Sequence, residues 1–138
     1  MNVGGIGTKV EKRKTLIESV KNTNDITILT ETKFRTDNIQ TLRQEWNGKS
    51  IHSTATNAKA GVSILFKKGL AFELSSSNDG DNEGRILWAE IKISSKNVLV
   101  IGVYAPADKD DPLFFEGLFS LLGRSNYDHV IIGGDWGG

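Results

Sequence analysis

The chain has 138 residues, 38% of them hydrophobic and 25% charged, with 17 Lys+Arg balanced by 17 Asp+Glu. That length suits one core in one domain, and the zero net charge excludes a basic nucleic-acid coat, though not an enzyme that grips a short stretch of backbone through a local patch. There is no cysteine, hence no disulfide and no thiolate metal site, and no run is apolar for long enough to span a membrane.

The opening stretch, MNVGGIGTKVEKRK, contains no apolar run of signal-peptide length. From Thr8, TKVEKRKTLIESVKN predicts a helix: Val10, Leu16, Ile17 and Val20 recur at helical spacing between charges, and Thr8 can cap it. DITILT predicts a short buried strand ending at Glu31. TDNIQTLRQEW predicts a second helix, with Ile39, Leu42 and Trp46 on one face and Thr36 or Asp37 as cap.

Four strand-like runs follow, SIHSTA, AGVSILFKK, LAFELSS and RILWAEIKI, joined by polar, turn-rich connectors. Together they predict an antiparallel meander. In the last run Leu87, Ala89, Ile91 and Ile93 alternate with Ile86, Trp88, Glu90 and Lys92. NVLVIGVYAP is apolar almost throughout, as a strand covered on both faces would be, and Pro106 closes it. DPLFFEGLFSLLG predicts a third helix with Asp111 as cap and Pro112 in its first turn, and HVIIGGD a final strand. The connectors NDGDNEG and DKDD read as acidic surface turns, and KVEKRK as a solvated helix face. The order is mixed α/β rather than all-parallel.

Three of these strands end on a polar group: Glu31 after ITILT, Tyr104 after VLVIGV and Asp135 after VIIGG. Ligands of layered α/β folds gather at strand ends. A carboxylate there suits a hard, oxygen-preferring cation such as Mg²⁺, and a second one can orient or deprotonate a water. A tyrosine hydroxyl can donate to a phosphate oxygen, and Asn2, heading a glycine turn, can add a neutral oxygen ligand. The set suits metal-assisted phosphodiester hydrolysis. Taken singly, each has a commoner explanation: a solvated glutamate, a packed tyrosine with a wet hydroxyl, a Gly-Gly-Asp turn, a frayed asparagine.

The ordered series NVGGI, DITILTETK, AGVSILF, EGRILWAEI, VLVIGVYAP, FF and VIIGGDW changes those odds. It resembles the endonuclease/exonuclease/phosphatase superfamily, and most of all the apurinic-endonuclease-like endonuclease domain of LINE-type (non-LTR) retrotransposons. The resemblance runs from Asn2 to Trp136, so residues 1–138 read as one partial domain. It implies a two-sheet α/β sandwich with flanking helices, DNase I-like, and a nuclease that nicks target DNA with Mg²⁺, or Mn²⁺ in its place. It implies Glu31 and Asn2 as metal ligands, Tyr104 as the contact to the scissile phosphate, and Asp135 as the residue that orients or activates water. Arg85 matches a family arginine near the substrate whose role is mainly structural. The resemblance further implies DNA as partner, action in the nucleus, no membrane, and a reverse transcriptase elsewhere in the parent polyprotein.

The departures are as informative. The family motif runs Gly-Asp-aromatic-Asn, and here Gly137 stands at the asparagine position. A lost transition-state donor slows a reaction by ~100-fold or more. The family also carries a later Asp/Asn pair and a terminal Asp-His pair beyond this stretch. His129 opens the strand that Asp135 closes, so the two lie roughly 20 Å apart along it. The expectation is a fragment holding about half of an active site, inactive or nearly so. The rival readings are a non-catalytic remnant or binding module, and a phosphatase of the same superfamily acting on inositol phosphates or lipids.

Overall fold

The computed structural model describes residues 25–30, 32, 39–46, 48–54, 60–81, 83–105, 112–123 and 127–135. The elements are β1 (Ile26–Thr30), α1 (Ile39–Trp46), β2 (Ser50–Ser53), β3 (Val62–Phe66), β4 (Glu73–Ser77), β5 (Ile86–Ile93), β6 (Lys96–Tyr104), α2 (Pro112–Leu122) and β7 (His129–Asp135). The helix expected from Thr8, and the caps expected at Thr36, Asp37 and Asp111, lie outside the described residues. Among the described residues no helix is long and apolar enough to cross a membrane.

The strands form two sheets, one ordered β1-β3-β2 and the other β4-β5-β6-β7. The expected four-strand meander is therefore divided: β2 and β3 pair in the first sheet, and β4 and β5 begin the second. β3 is the central strand of the first sheet, flanked by β1 and β2, with all five of its residues buried. Periodicity predicted the strands but not which edges meet.

The two sheets close on a core of Ile51, Val62, Ile64, Phe66, Leu87, Ala89, Ile91, Val98 and Val100. The opposite face of the second sheet packs Leu99, Ile101 and Val103 against Phe114, Leu118 and Leu121 of α2. The strict alternation of β5 thus has two apolar destinations: Leu87, Ala89 and Ile91 point between the sheets, while Ile86 and Trp88 point at the helix. β6 is covered on both faces, as its unbroken apolar run requires.

One pair of glycines sets how β1 lies on the second sheet. Gly102 of β6 and Gly133 of β7 are cross-strand partners. A Cβ on either would stand 3.0 Å from the Ile28 side chain. The bare backbone is a furrow for Ile28, and it brings β1 down across β6 and β7.

On the far side of the first sheet His52 is only 2% exposed. Its Nδ1 lies 2.7 Å from Ser63 Oγ and its Nε2 2.9 Å from Ser50 Oγ. Burial pushes the imidazole down to about 4 from 6.5, with the Arg43 guanidinium adding to the shift and the Asp79 carboxylate opposing it. The unfolded chain therefore takes up this proton near pH 6.5 and the folded chain only near pH 4. The contribution is fully present above the higher value and is lost as pH falls toward the lower one, about 3 kcal/mol in all. Urea midpoints at neutral and acid pH should differ strongly for the native chain and by much less for His52→Gln.

Candidate active site

β6 and β7 are parallel, so their carboxyl ends lie together, and in register Tyr104 faces Asp135 across the pair. The pleat then fixes direction. Val98, Val100 and Gly102 of β6 point toward the first sheet, and their partners His129, Ile131 and Gly133 share that face. Two residues further along, Tyr104 packs against the inter-sheet core and Asp135 belongs to the same face.

A run of backbone hydrogen bonds ties this corner to the first sheet. The Thr32 N–H donates to Gly61 O at 3.3 Å, and the Gly61 N–H donates to Gly84 O at 3.0 Å. The next residue, Arg85, accepts from the Tyr104 N–H at 2.7 Å, and the Ala105 N–H donates to Asp135 O at 2.8 Å. The ends of β1, β6 and β7 and the start of β5 are therefore held at one edge of the sandwich.

Tyr104, Asp135 and Arg85 are thus brought together. Glu31 follows β1 directly, between the described residues Thr30 and Thr32, but it lies outside the described residues itself, as do Asn2 and Gly137. Two buried side-chain atoms at this edge make no hydrogen bond among the described residues: Thr32 Oγ1 and Arg85 Nη1. Unpaired buried polar atoms are rare because desolvation goes uncompensated, and two at one edge mark a place where a polar ligand fits. Arg85, expected to be mainly structural, buries its Nη1 with no partner among the described residues. Thr32 was not singled out in the sequence. The signal available was its place beside Glu31 in ETK.

The loop before β5 is a surface turn, as expected, and its acids also support the edge. Asp81 Oδ2 accepts from Ser53 Oγ at 2.6 Å and from the Glu83 N–H at 3.1 Å, and Ser53 Oγ accepts from the Gly84 N–H at 2.8 Å. Asp79 accepts from the His52 N–H at 2.9 Å and from Arg43 at 3.2 Å. Asn78 bridges Ile86 O and the Trp88 N–H at 3.0 and 2.7 Å, extending the sheet with a side chain. Asp81→Ala strips two donors of their acceptor, and a chemical-denaturation series should show a loss of about 2 kcal/mol.

A cleft of about 490 Å³ lies near, bounded by Asp81, Glu83, Arg85, Trp88, Phe114 and Leu121. It opens on the helix side of the sheet, whereas Tyr104 faces the other sheet, so the cleft and the strand-end site share only Arg85. Among the described residues no group of three or more His, Cys, Asp or Glu is arranged to hold a metal ion. The expected metal ligands, the Glu31 carboxylate and the Asn2 amide oxygen, are hard oxygen donors of the kind a cation such as Mg²⁺ takes, and both lie outside the described residues.

No family model matches the chain, and no curated protein matches it in sequence. Solved structures do. A humanized D. rerio TDP2 superposes with a TM-score of 0.72 at 15% identity, over 100% of this chain and 60% of that one. The 3′ phosphatase NExo from Neisseria, bound to a product DNA hairpin, gives 0.66 at 20% identity, over 99% and 55%. An AP endonuclease from Archaeoglobus fulgidus gives 0.65 at 22% identity, over 98% and 55%. These likenesses show the fold: a mixed α/β, two-sheet DNase I-like sandwich. The chain spans 55–60% of the length of these three neighbours.

Proposed function

We propose that this chain is part of a Mg²⁺-dependent DNA endonuclease of the retrotransposon type, one that nicks target DNA by phosphodiester hydrolysis. The observation that carries the reading is the in-register pair of Tyr104 and Asp135 at the joined ends of two parallel strands. Asp135 orients and deprotonates the attacking water. Tyr104 donates a hydrogen bond to a non-bridging phosphate oxygen, and Arg85 Nη1, buried with no partner among the described residues, supplies positive charge beside it. Glu31 and Asn2 would hold Mg²⁺, or Mn²⁺ in its place. The ion would neutralise charge on the phosphate. The choice of DNA is supported by neighbours whose structures contain DNA products, the Neisseria phosphatase and a D. rerio TDP2. Retroelement ancestry, with a reverse transcriptase in the parent polyprotein, is supported by the wording of the ETK, YAP and GGDW stretches.

Gly137 stands where the family carries asparagine. The missing amide slows the chain by ~100-fold or more, so the chain alone is nearly inactive and any residual nicking is slow. That same position favours the second reading, a remnant that keeps the scaffold and not the chemistry. Supercoiled plasmid separates the two: relaxed circles should accumulate with Mg²⁺, and neither with EDTA nor with Glu31→Ala. Equal rates in all three arms would sink the endonuclease reading.

A further inference from the structure

The path from the end of β1 to the end of β6 is made of backbone hydrogen bonds: Thr32 to Gly61, Gly61 to Gly84, and Tyr104 to Arg85. Gly84 is where that path crosses between the sheets. Ser53, the last residue of β2, is the register partner of Val62, the first of β3, so Ser53 and Gly61 stand close together at the end of the first sheet. Gly84 is gripped there through both of its backbone polar groups. Its carbonyl accepts from the Gly61 N–H at 3.0 Å, and its N–H donates to Ser53 Oγ at 2.8 Å. The approach is close: Gly84 has φ 70°, and a Cβ on it would stand 2.6 Å from Gly61 N and 2.8 Å from the Ala60 Cβ.

Ser53 brings a side chain to this backbone joint. It is buried, and its hydroxyl works twice, accepting from Gly84 and donating to Asp81 Oδ2 at 2.6 Å. A hydroxyl that gives one bond and takes another has its orientation fixed. Asp81 is anchored to the same strand end, since its carbonyl accepts from the Thr54 N–H at 2.8 Å. The loop therefore folds back on the end of β2 and delivers Gly84 to it.

We infer that Ser53 is a positioning residue of the candidate active site: through Gly84 it sets the spacing between the end of the first sheet, where Glu31 follows β1, and the end of the second, where Tyr104 and Asp135 stand in register. The catalytic consequence rests on the phosphodiester reading, whereas the joint stands independently of it. In that reading the metal ligand Glu31 belongs to the first sheet, and the phosphate and water contacts belong to the second. The apolar faces between the sheets attract without direction, so directional bonds at the strand ends must hold the two halves in line. A displacement of about 1 Å can slow a positioned reaction by about 100-fold.

Hydrogen exchange and kinetics on the same variants test both parts. Ser53→Ala should speed exchange of the Gly61 and Tyr104 amides by about 10-fold, although neither donates to Ser53. Asn78→Ala removes two bonds from the same loop but none from Gly84, and should leave those amides as in the native chain. Nicking rates over a range of plasmid concentrations, well below each melting temperature, should show kcat lowered by about 10- to 100-fold in Ser53→Ala, with KM for DNA and the rates of Asn78→Ala close to native. Asp81→Ala, which frees the hydroxyl to turn from Gly84, should move the same amides and kcat in the same direction by less. Unchanged amides in Ser53→Ala, or equal speeding in Asn78→Ala, would overturn the joint. Faster amides with an unchanged kcat, or a kcat lowered equally by Asn78→Ala, would overturn the positioning role and leave the joint. Faster amides in a protein whose native form shows no Mg²⁺-dependent nicking would overturn the hydrolase reading, and the catalytic role with it.

Discussion

Gly134→Ala is expected to lower stability by about 4 kcal/mol and the melting temperature by about 15 °C. Gly134 sits at φ 139°, a conformation L side chains rarely adopt. A Cβ there would run into the Val103 carbonyl oxygen and stand 2.8 and 2.9 Å from Val103 C and N. Those atoms are strand backbone, which cannot swing aside as a flexible side chain would. β6 and β7 would have to separate at the point where they deliver Tyr104 and Asp135. Gly80→Ala separates the two contributions. Gly80 has φ 93°, but a Cβ there would meet nothing within 4 Å, so only the backbone conformation counts and the loss should be about 1 kcal/mol. Thermal melts of the two variants side by side measure the difference. Equal losses would mean that the Val103 contact does not limit the strand pair.

Asp135→Asn is expected to reduce Mg²⁺-dependent nicking by about 1,000-fold and to leave the melting temperature close to that of the native chain. The substitution keeps shape and removes the basic oxygen, and positioned general bases contribute about 100- to 10,000-fold. The strand-end contact through the Asp135 carbonyl, which accepts from the Ala105 N–H at 2.8 Å, belongs to the backbone and survives. Tyr104→Phe removes one hydrogen bond to a charged oxygen and should slow the reaction by about 10- to 100-fold. The order of the two effects carries the assignment. If the phenylalanine variant is the slower of the two, proton transfer is not the work of Asp135. Initial nicking rates with thermal melts on the same preparations decide it.

Much of the fold was legible locally. ITILT, VSILF, the alternation of ILWAEIKI and the continuous run of NVLVIGVY each became a strand, because the period of apolar residues matches how many faces each strand buries. Pro112 opened its helix as its fixed φ favours. The surface turn NDGDNEG was legible as a turn, but its bridging hydrogen bonds were not, for a physical reason. Asp and Asn are as common in solvated turns as in side-chain bridges, and what distinguishes them here is Ser53, about thirty residues away. The furrow of Gly102 and Gly133 was hidden in the same way: a glycine in a strand reads as weakness until Ile28 from the other sheet is seen to need the space.

The described strands and helices, their order and the strand ends at Tyr104 and Asp135 could be read along the chain, since apolar period and the residue that breaks it are local properties. Three things emerged with folding alone: which strands share a sheet, that Tyr104 and Asp135 stand in register on one face, and that Thr32 and Arg85 bury polar atoms with no partner among the described residues. Each is a relation between segments far apart in the chain. Such relations are set by which apolar faces can be buried against one another, and no window of neighbouring residues contains that information.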